Sequence, residues 1–200
     1  MKNLFFTISI LLLALSCKAQ GPIVALDTYE HNILDGSYVK DLNSELNNFV
    51  GTWIFTDGTT SFTLVLQKQI QTFNGDYYED YMIGEYSYTT NGLTIVNTIP
   101  LLNNAQLNLQ RNIGGRYIVK GPDHNCTDCL PNERRIDLYF SDPNREYLSS
   151  GIVLRYLVNE TNPEKITATI YVVGNVMLPY ESASSSPSVP YGTYLMEKQN

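Results

Sequence analysis

Tyr77-Tyr78-Glu79-Asp80-Tyr81-Met82-Ile83-Gly84-Glu85-Tyr86-Ser87-Tyr88-Thr89-Thr90 runs directly into Asn91-Gly92 and then Leu93-Thr94-Ile95-Val96-Asn97-Thr98. Aromatic and β-branched residues fill both arms, which favours strand over helix. Asn-Gly tolerates the positive φ angles that a two-residue type I′ turn demands at both central positions. The stretch therefore reads as a β-hairpin, with Gly84 expected to bulge or bend its long first arm.

The same period of two extends in both directions. Upstream of the hairpin, Phe62, Leu64 and Leu66 alternate with Thr63, Val65 and Gln67. Downstream, strands are predicted over 106–110, 116–120, 135–140, 152–158, 165–173 and 191–198. Ile136, Leu138 and Phe140 alternate with Arg135, Asp137 and Tyr139, the pattern of a half-buried strand, and Ile166, Ala168, Ile170 and Val172 oppose Thr167, Thr169 and Tyr171. Before Trp53 the period changes. Asp41 is placed to cap a helix, Glu45 lies near its positive end, and Leu42, Leu46 and Phe49 share one face until Gly51. The expected class is all-β: an antiparallel lipocalin-like β-barrel of about 8–10 strands preceded by one short helix. Residues 21–40 are expected to form an extended N-terminal arm and 41–200 a single barrel domain, in which Ser-rich 181–190 is too polar to pack and forms a mobile loop.

The first twenty residues are of another kind. Lys2 and Asn3, an apolar run over 4–15 too short to span a bilayer, and Ser16-Cys17-Lys18-Ala19-Gln20 describe a secretory signal over 1–20. Ala14-Leu15-Ser16-Cys17 looks like a bacterial lipobox, which makes Cys17 a candidate for lipidation. Acyl chains there would hold the protein at a membrane, each buried methylene contributing roughly 0.8 kcal/mol. Cleavage near Ala19-Gln20 is the competing reading and would release a secreted protein. Lys18-Ala19-Gln20-Gly21 holds no acidic residue, so a lipidated chain is expected in the periplasm or on the outer membrane facing the periplasm.

The formal net charge of −7 sets the protein against phosphate backbones, so nucleic acid is not an expected partner. Contact with a membrane is expected only through the anchor at Cys17.

The order of a short helix, Asn48-Phe49-Val50-Gly51-Thr52-Trp53, and then a meander of strands resembles the opening of lipocalin-like barrels. In those barrels Gly-x-Trp starts the first strand and the indole packs against a basic residue of the last. The resemblance gives Gly51 and Trp53 structural roles and offers Lys198, or Arg155, as the basic partner. A second resemblance rests on Tyr38-Val39-Lys40-Asp41-Leu42-Asn43-Ser44-Glu45-Leu46, Gly51-Thr52-Trp53 and Tyr194-Leu195-Met196-Glu197-Lys198-Gln199. These look like a family of small secreted proteins of Bacteroidetes, a domain of unknown function. It implies export and one domain, and assigns no catalytic residue.

Few residues suggest chemistry. Cys126-Thr127-Asp128-Cys129, preceded by Asp123-His124-Asn125, has three readings: a local disulfide, a redox pair that would need a helix N-terminus, or a zinc site short of a fourth ligand. The even count of cysteines once Cys17 is set aside favours the disulfide. Asp76, Glu79, Asp80 and Glu85 could offer an acid–base pair, but a solvated turn is the expected reading. His31 and His124 have no nucleophile elbow to serve, and Gly114-Gly115 reads as a turn rather than a phosphate loop. No catalytic residue, metal or cofactor is therefore assigned. Tyrosine is abundant, at 15 residues, with Tyr77, Tyr78, Tyr81, Tyr86 and Tyr88 in the opening hairpin. It serves equally as a strand residue and as a binding surface. The expected function is an exported, membrane-anchored, non-enzymatic binding protein of lipocalin-like type, which takes a small or extended ligand in the mouth or lumen of its barrel. The alternatives are a filled barrel serving as a structural or protein-interaction module of the cell envelope, and a hydrolase acting on exported polymer.

Overall fold

The computed structural model describes residues 21–104, 110–174 and 177–199. Cys17 and nearly all of the predicted strand 106–110 lie outside the described residues. The strands are β1 (Ile23–Ala25), β2 (Tyr38–Lys40), β3 (Gly51–Asp57), β4 (Thr60–Phe73), β5 (Tyr78–Thr90), β6 (Leu93–Asn97), β7 (Ile113–Lys120), β8 (Arg134–Phe140), β9 (Ser150–Thr161), β10 (Glu164–Val172) and β11 (Gly192–Gln199). Eight of them close in the order β3-β4-β5-β7-β8-β9-β10-β11 and back to β3, every pair antiparallel. This is an all-β barrel of the expected class, consistent with a lipocalin-like form, and closure leaves the eight strands without a continuous exposed edge.

Asn91 (φ 51°) and Gly92 (φ 73°) make the expected hairpin turn between β5 and β6. The second edge of β5 is then shared by three strands. β2 pairs in parallel at Tyr78–Glu79, β7 closes the barrel over Met82–Gly84, and β6 takes Ser87–Thr90. Residues 21–40 thus contribute two short strands, β1 and β2, paired in parallel with each other.

Gly84 makes no bulge in β5. It pairs in register with Leu66 and Ile113, and a Cβ there would come within 2.5 Å of Leu66 Cδ2, so crowding by an inward side chain demands the glycine. The irregularity lies on the neighbouring strand, between Gln69 and Thr72, where Gln71 has φ 52° and donates its N–H to Asp80.

The expected helix is a single 3-10 turn, Glu45–Phe49. Asp41 does cap it, its carboxylate accepting the N–H groups of Glu45 and Leu46 as well as the Lys68 ammonium. Ser44, in left-handed geometry at φ 57°, interrupts the helical path after Asp41. Leu42 is consequently 57% exposed, while Leu46 and Phe49 are buried.

The lumen is filled. Trp53, Phe62, Leu64, Leu66, Tyr86, Phe140, Ile152 and Met196 belong to one buried cluster built from inward positions around the barrel. Phe62 meets Tyr86, Tyr88 and Tyr194 edge-on, at ring separations of 6.2, 6.3 and 5.1 Å. Each such large side chain contributes roughly 1.5–3 kcal/mol by leaving water. The interior is a core, which removes the lumen, though not the mouth, as the expected place for a ligand.

The 181–190 segment also packs, against expectation. Val189 is fully buried, Ser188 donates its N–H to Asp142, and the Ser188 hydroxyl accepts from Arg145. It covers the end of the barrel opposite the 3-10 turn, because few apolar residues suffice once Asp142 holds the backbone.

Candidate functional site

Trp53 stands at the 3-10 end of the barrel. Its indole is fully buried and donates to the Phe49 carbonyl at 2.7 Å, so the turn and the first barrel strand are joined by one bond. Lys198 is its cross-strand partner, with Nζ 5.3 Å above the indole ring and ion-paired to Glu164. Gly51 has φ 130°, and a Cβ there would lie 3.2 Å from Lys198 Cε. The close approach of the lysine stem and the backbone angle both favour glycine. Arg155, the other basic candidate, faces outward and binds Glu133 and Asp128.

Beside this end, β9 outruns its neighbour. Its pairing with β8 stops at Leu154 opposite Ile136, and residues 155–161 continue beyond. A cleft of about 890 Å³ opens between this overhang, the 3-10 turn and the 128–134 segment. Its floor is apolar: Phe49, Ile118 and Tyr156 pack against the core, Phe49 and Tyr156 edge-on at 6.5 Å. Leu130 and Val158 on its walls are 69% and 71% exposed.

Two guanidinium groups flank the floor. Arg134 donates to Glu45 and Asp27, while Arg155 donates to Glu133 and Asp128. Hydrogen bonds from Lys120 and then Arg134 lower the Asp27 carboxyl to about 2, and the bond from Arg155 lowers Glu133. Both arginines are thus paired with carboxylates, and the cleft sets an apolar floor inside a rim of mixed charge, an arrangement suited to a ligand with an apolar body and a polar head.

The loop forming one lip of the cleft carries the cysteine motif. Cys126 and Cys129 are joined in a disulfide with Cα atoms 5.5 Å apart. Asp123 accepts the N–H groups of Asn125 and Cys126 and ion-pairs with buried Arg135 on β8. His124 meets Tyr171 edge-on at 6.0 Å. Among the described residues no group of three His, Cys, Asp or Glu is placed to hold a metal.

A family model described as a family of unknown function, DUF6705, matches residues 1–199. The chain belongs to this family. Neither a curated protein nor a solved structure matches it.

In this DUF6705 barrel the acidic residues of β5 are not a solvated turn. Asp76 is exposed, but Glu79, Asp80 and Glu85 are 5%, 2% and 0% exposed. Glu79 pairs with Arg116, Asp80 accepts from Tyr38, Asp41 and Gln71, and Glu85 accepts from Asn112. Glu79 and Asp80 point to opposite faces of the strand, and Glu79 and Glu85 stand about 20 Å apart along it. Glycoside hydrolysis uses carboxylates within about 10 Å across a cleft. Arg116 also donates to the Leu26 carbonyl and the Tyr77 hydroxyl, fastening the N-terminal arm to the barrel.

The tyrosines divide. Tyr86 and Tyr88 point into the core, Tyr77 lies buried against Arg116, and Tyr78 packs on Phe73. The surface grouping comes from other strands: Tyr117 on β7, Tyr139 on β8 and Tyr171 on β10 line one outer-wall cavity of about 390 Å³. Tyr117 and Tyr139 also line the adjoining cavity of about 260 Å³, with Tyr77 and Tyr81. Sequence reasoning missed this grouping. Its signal was present in the outward phase of each alternation, but strand order was needed to assemble it.

Proposed function

We propose that this protein is an exported, lipid-anchored binding module with no catalytic role, which takes an amphipathic ligand in the cleft at the 3-10 end of its barrel. The apolar floor of Phe49, Ile118 and Tyr156 beneath Arg134 and Arg155 carries the reading. The filled core moves binding from the lumen to this mouth. The signal-like 1–20 segment and the resemblance to secreted Bacteroidetes proteins support export, and the lipobox resemblance supports an anchor at Cys17. The stacking of Lys198 on Trp53 supports the lipocalin-like opening.

The test uses an amphipathic anion, 1-anilinonaphthalene-8-sulfonate, titrated by fluorescence. One saturable site is expected, weakened at least tenfold by Val158→Asp, an exposed position whose replacement spares the core. Binding unchanged by Val158→Asp, or no saturable binding, would count against the cleft.

A second reading is favoured by the same overhang. A filled barrel acting as an interaction module could receive an extended segment of an envelope protein along the β9 edge beyond Leu154, using strand addition.

A further inference from the structure

The outer wall carries a row of alternating glycine and tyrosine. Gly114 on β7 pairs with Tyr139 on β8, Tyr139 with Gly151 on β9, and Gly151 with Tyr171 on β10. A Cβ on Gly114 would meet Tyr139 Oη at 2.7 Å, and one on Gly151 would meet Tyr171 Cζ at 2.5 Å. Each ring therefore lies across the bare backbone of its neighbour and turns its other face outward. A carboxylate lies beside the row. Asp137, two residues before Tyr139 and opposite Tyr117, accepts the Tyr171 hydroxyl on both oxygens at 2.9 Å.

The adjoining cavity shows what such a surface can hold. There Arg116 lies 5.4 Å from the Tyr117 ring centre and 5.7 Å from that of Tyr77, with Glu79 as counter-ion. Tyrosine faces attract cations through the ring quadrupole, and a hydroxyl donated to a carboxylate leaves its ring richer in electrons. Tyr117, whose hydroxyl donates to Glu30, and Tyr171, bound to Asp137, are both in this state. The 390 Å³ cavity repeats the composition, with Tyr117, Tyr139, Tyr171 and Asp137, but no Lys, Arg or His lines it. Among the described residues Asp137 makes no ion pair. Arg135 and His124 both act on Asp137 at longer range, but Arg135 is committed to Asp123 and the Gly121 carbonyl, and His124 meets the edge of Tyr171.

We propose that this outer-wall cavity binds an organic ammonium group, with Asp137 as counter-ion and the faces of Tyr139, Tyr171 and Tyr117 as its walls. The chain supplies the cation in one cavity and leaves the complementary charge to a ligand in the next. A single carboxylate among aromatic faces suits a weakly hydrated organic cation rather than a divalent metal, which needs six or more oxygen ligands or bound waters.

The experiment is isothermal titration calorimetry of the folded protein with choline chloride, in parallel with a neutral glucose oligomer. Saturable choline binding is expected, weakened at least tenfold by Asp137→Asn and by Tyr139→Leu. The second variant alters an exposed ring and decides the matter if Asp137→Asn fails to fold. Equal choline binding by the wild type and both variants would reduce the effect to attraction by net negative charge and overturn the proposal. So would no saturable choline binding, or glucose-oligomer binding that Asp137→Asn leaves intact. Val158 lies five residues, about 17 Å, along β9 from Val153, the partner of Asp137, so Val158→Asp should leave choline binding unchanged, and failure here and failure of the cleft are read separately.

Discussion

Replacing Trp53 tests the argument that the 3-10 turn, the first barrel strand and the last strand are held by one side chain. Trp53→Ala removes a fully buried indole, a change that costs about 3–5 kcal/mol in other cores. It also deprives the Phe49 carbonyl of its 2.7 Å donor, worth about 1 kcal/mol, and Lys198 of the ring beneath it, worth about 0.5–1 kcal/mol. The terms overlap, so about 4–6 kcal/mol is expected. That would remove most of the stability of a protein at the lower end of the usual 5–15 kcal/mol range. Trp53→Phe keeps most of the packing and loses the hydrogen bond, so about 1–2 kcal/mol is expected. Urea unfolding followed by far-UV circular dichroism measures both variants. Trp53 is the only tryptophan, so its emission in the wild type reports this site alone and should be blue-shifted until the barrel unfolds. A loss below 1 kcal/mol in Trp53→Ala, together with native emission at the wavelength of a solvated indole, would refute the reasoning.

Glu79→Gln should destabilise by about 3–5 kcal/mol, because it leaves the Arg116 charge buried without its partner; chemical denaturation measures it, and an effect below 1 kcal/mol would contradict the burial. Gly151→Ala should cost about 1–3 kcal/mol by forcing the Tyr171 ring off the wall, seen as a lower melting temperature and a shifted Tyr171 ring resonance. Asp27 has a folded pKa of about 2, below its unfolded value, so its contribution is present above the unfolded pKa and lost as pH falls through the folded one. Asp27→Asn should therefore flatten the fall in melting temperature between pH 4 and pH 2, and an unchanged acid limb would contradict the Lys120 and Arg134 contacts. Cys17→Ser should move the protein from the membrane fraction to the soluble fraction of its native cells, whereas equal distribution of the two forms would remove the anchor.

The sequence alone determined what depends on neighbours along the chain. Asn91-Gly92 specifies its turn because both residues accept positive φ, and the alternation of Ile136, Leu138 and Phe140 sets which face of β8 is buried. Asp41 is recognisable as a cap because its side chain needs only the N–H groups of Glu45 and Leu46, a few residues away. The tertiary structure decided whatever depends on partners distant in the chain. Glu79 looked solvated until Arg116 came within reach, and Gly84 looked like a bulge until Leu66 took the space above it. The lumen could not be read as open or filled from alternation, since inward phase says where a side chain points and not what it meets across the barrel. Tyr117, Tyr139 and Tyr171 form one surface because β7, β8, β9 and β10 are adjacent in a particular register. Register is set by the closure of the whole sheet, a property that no single segment carries.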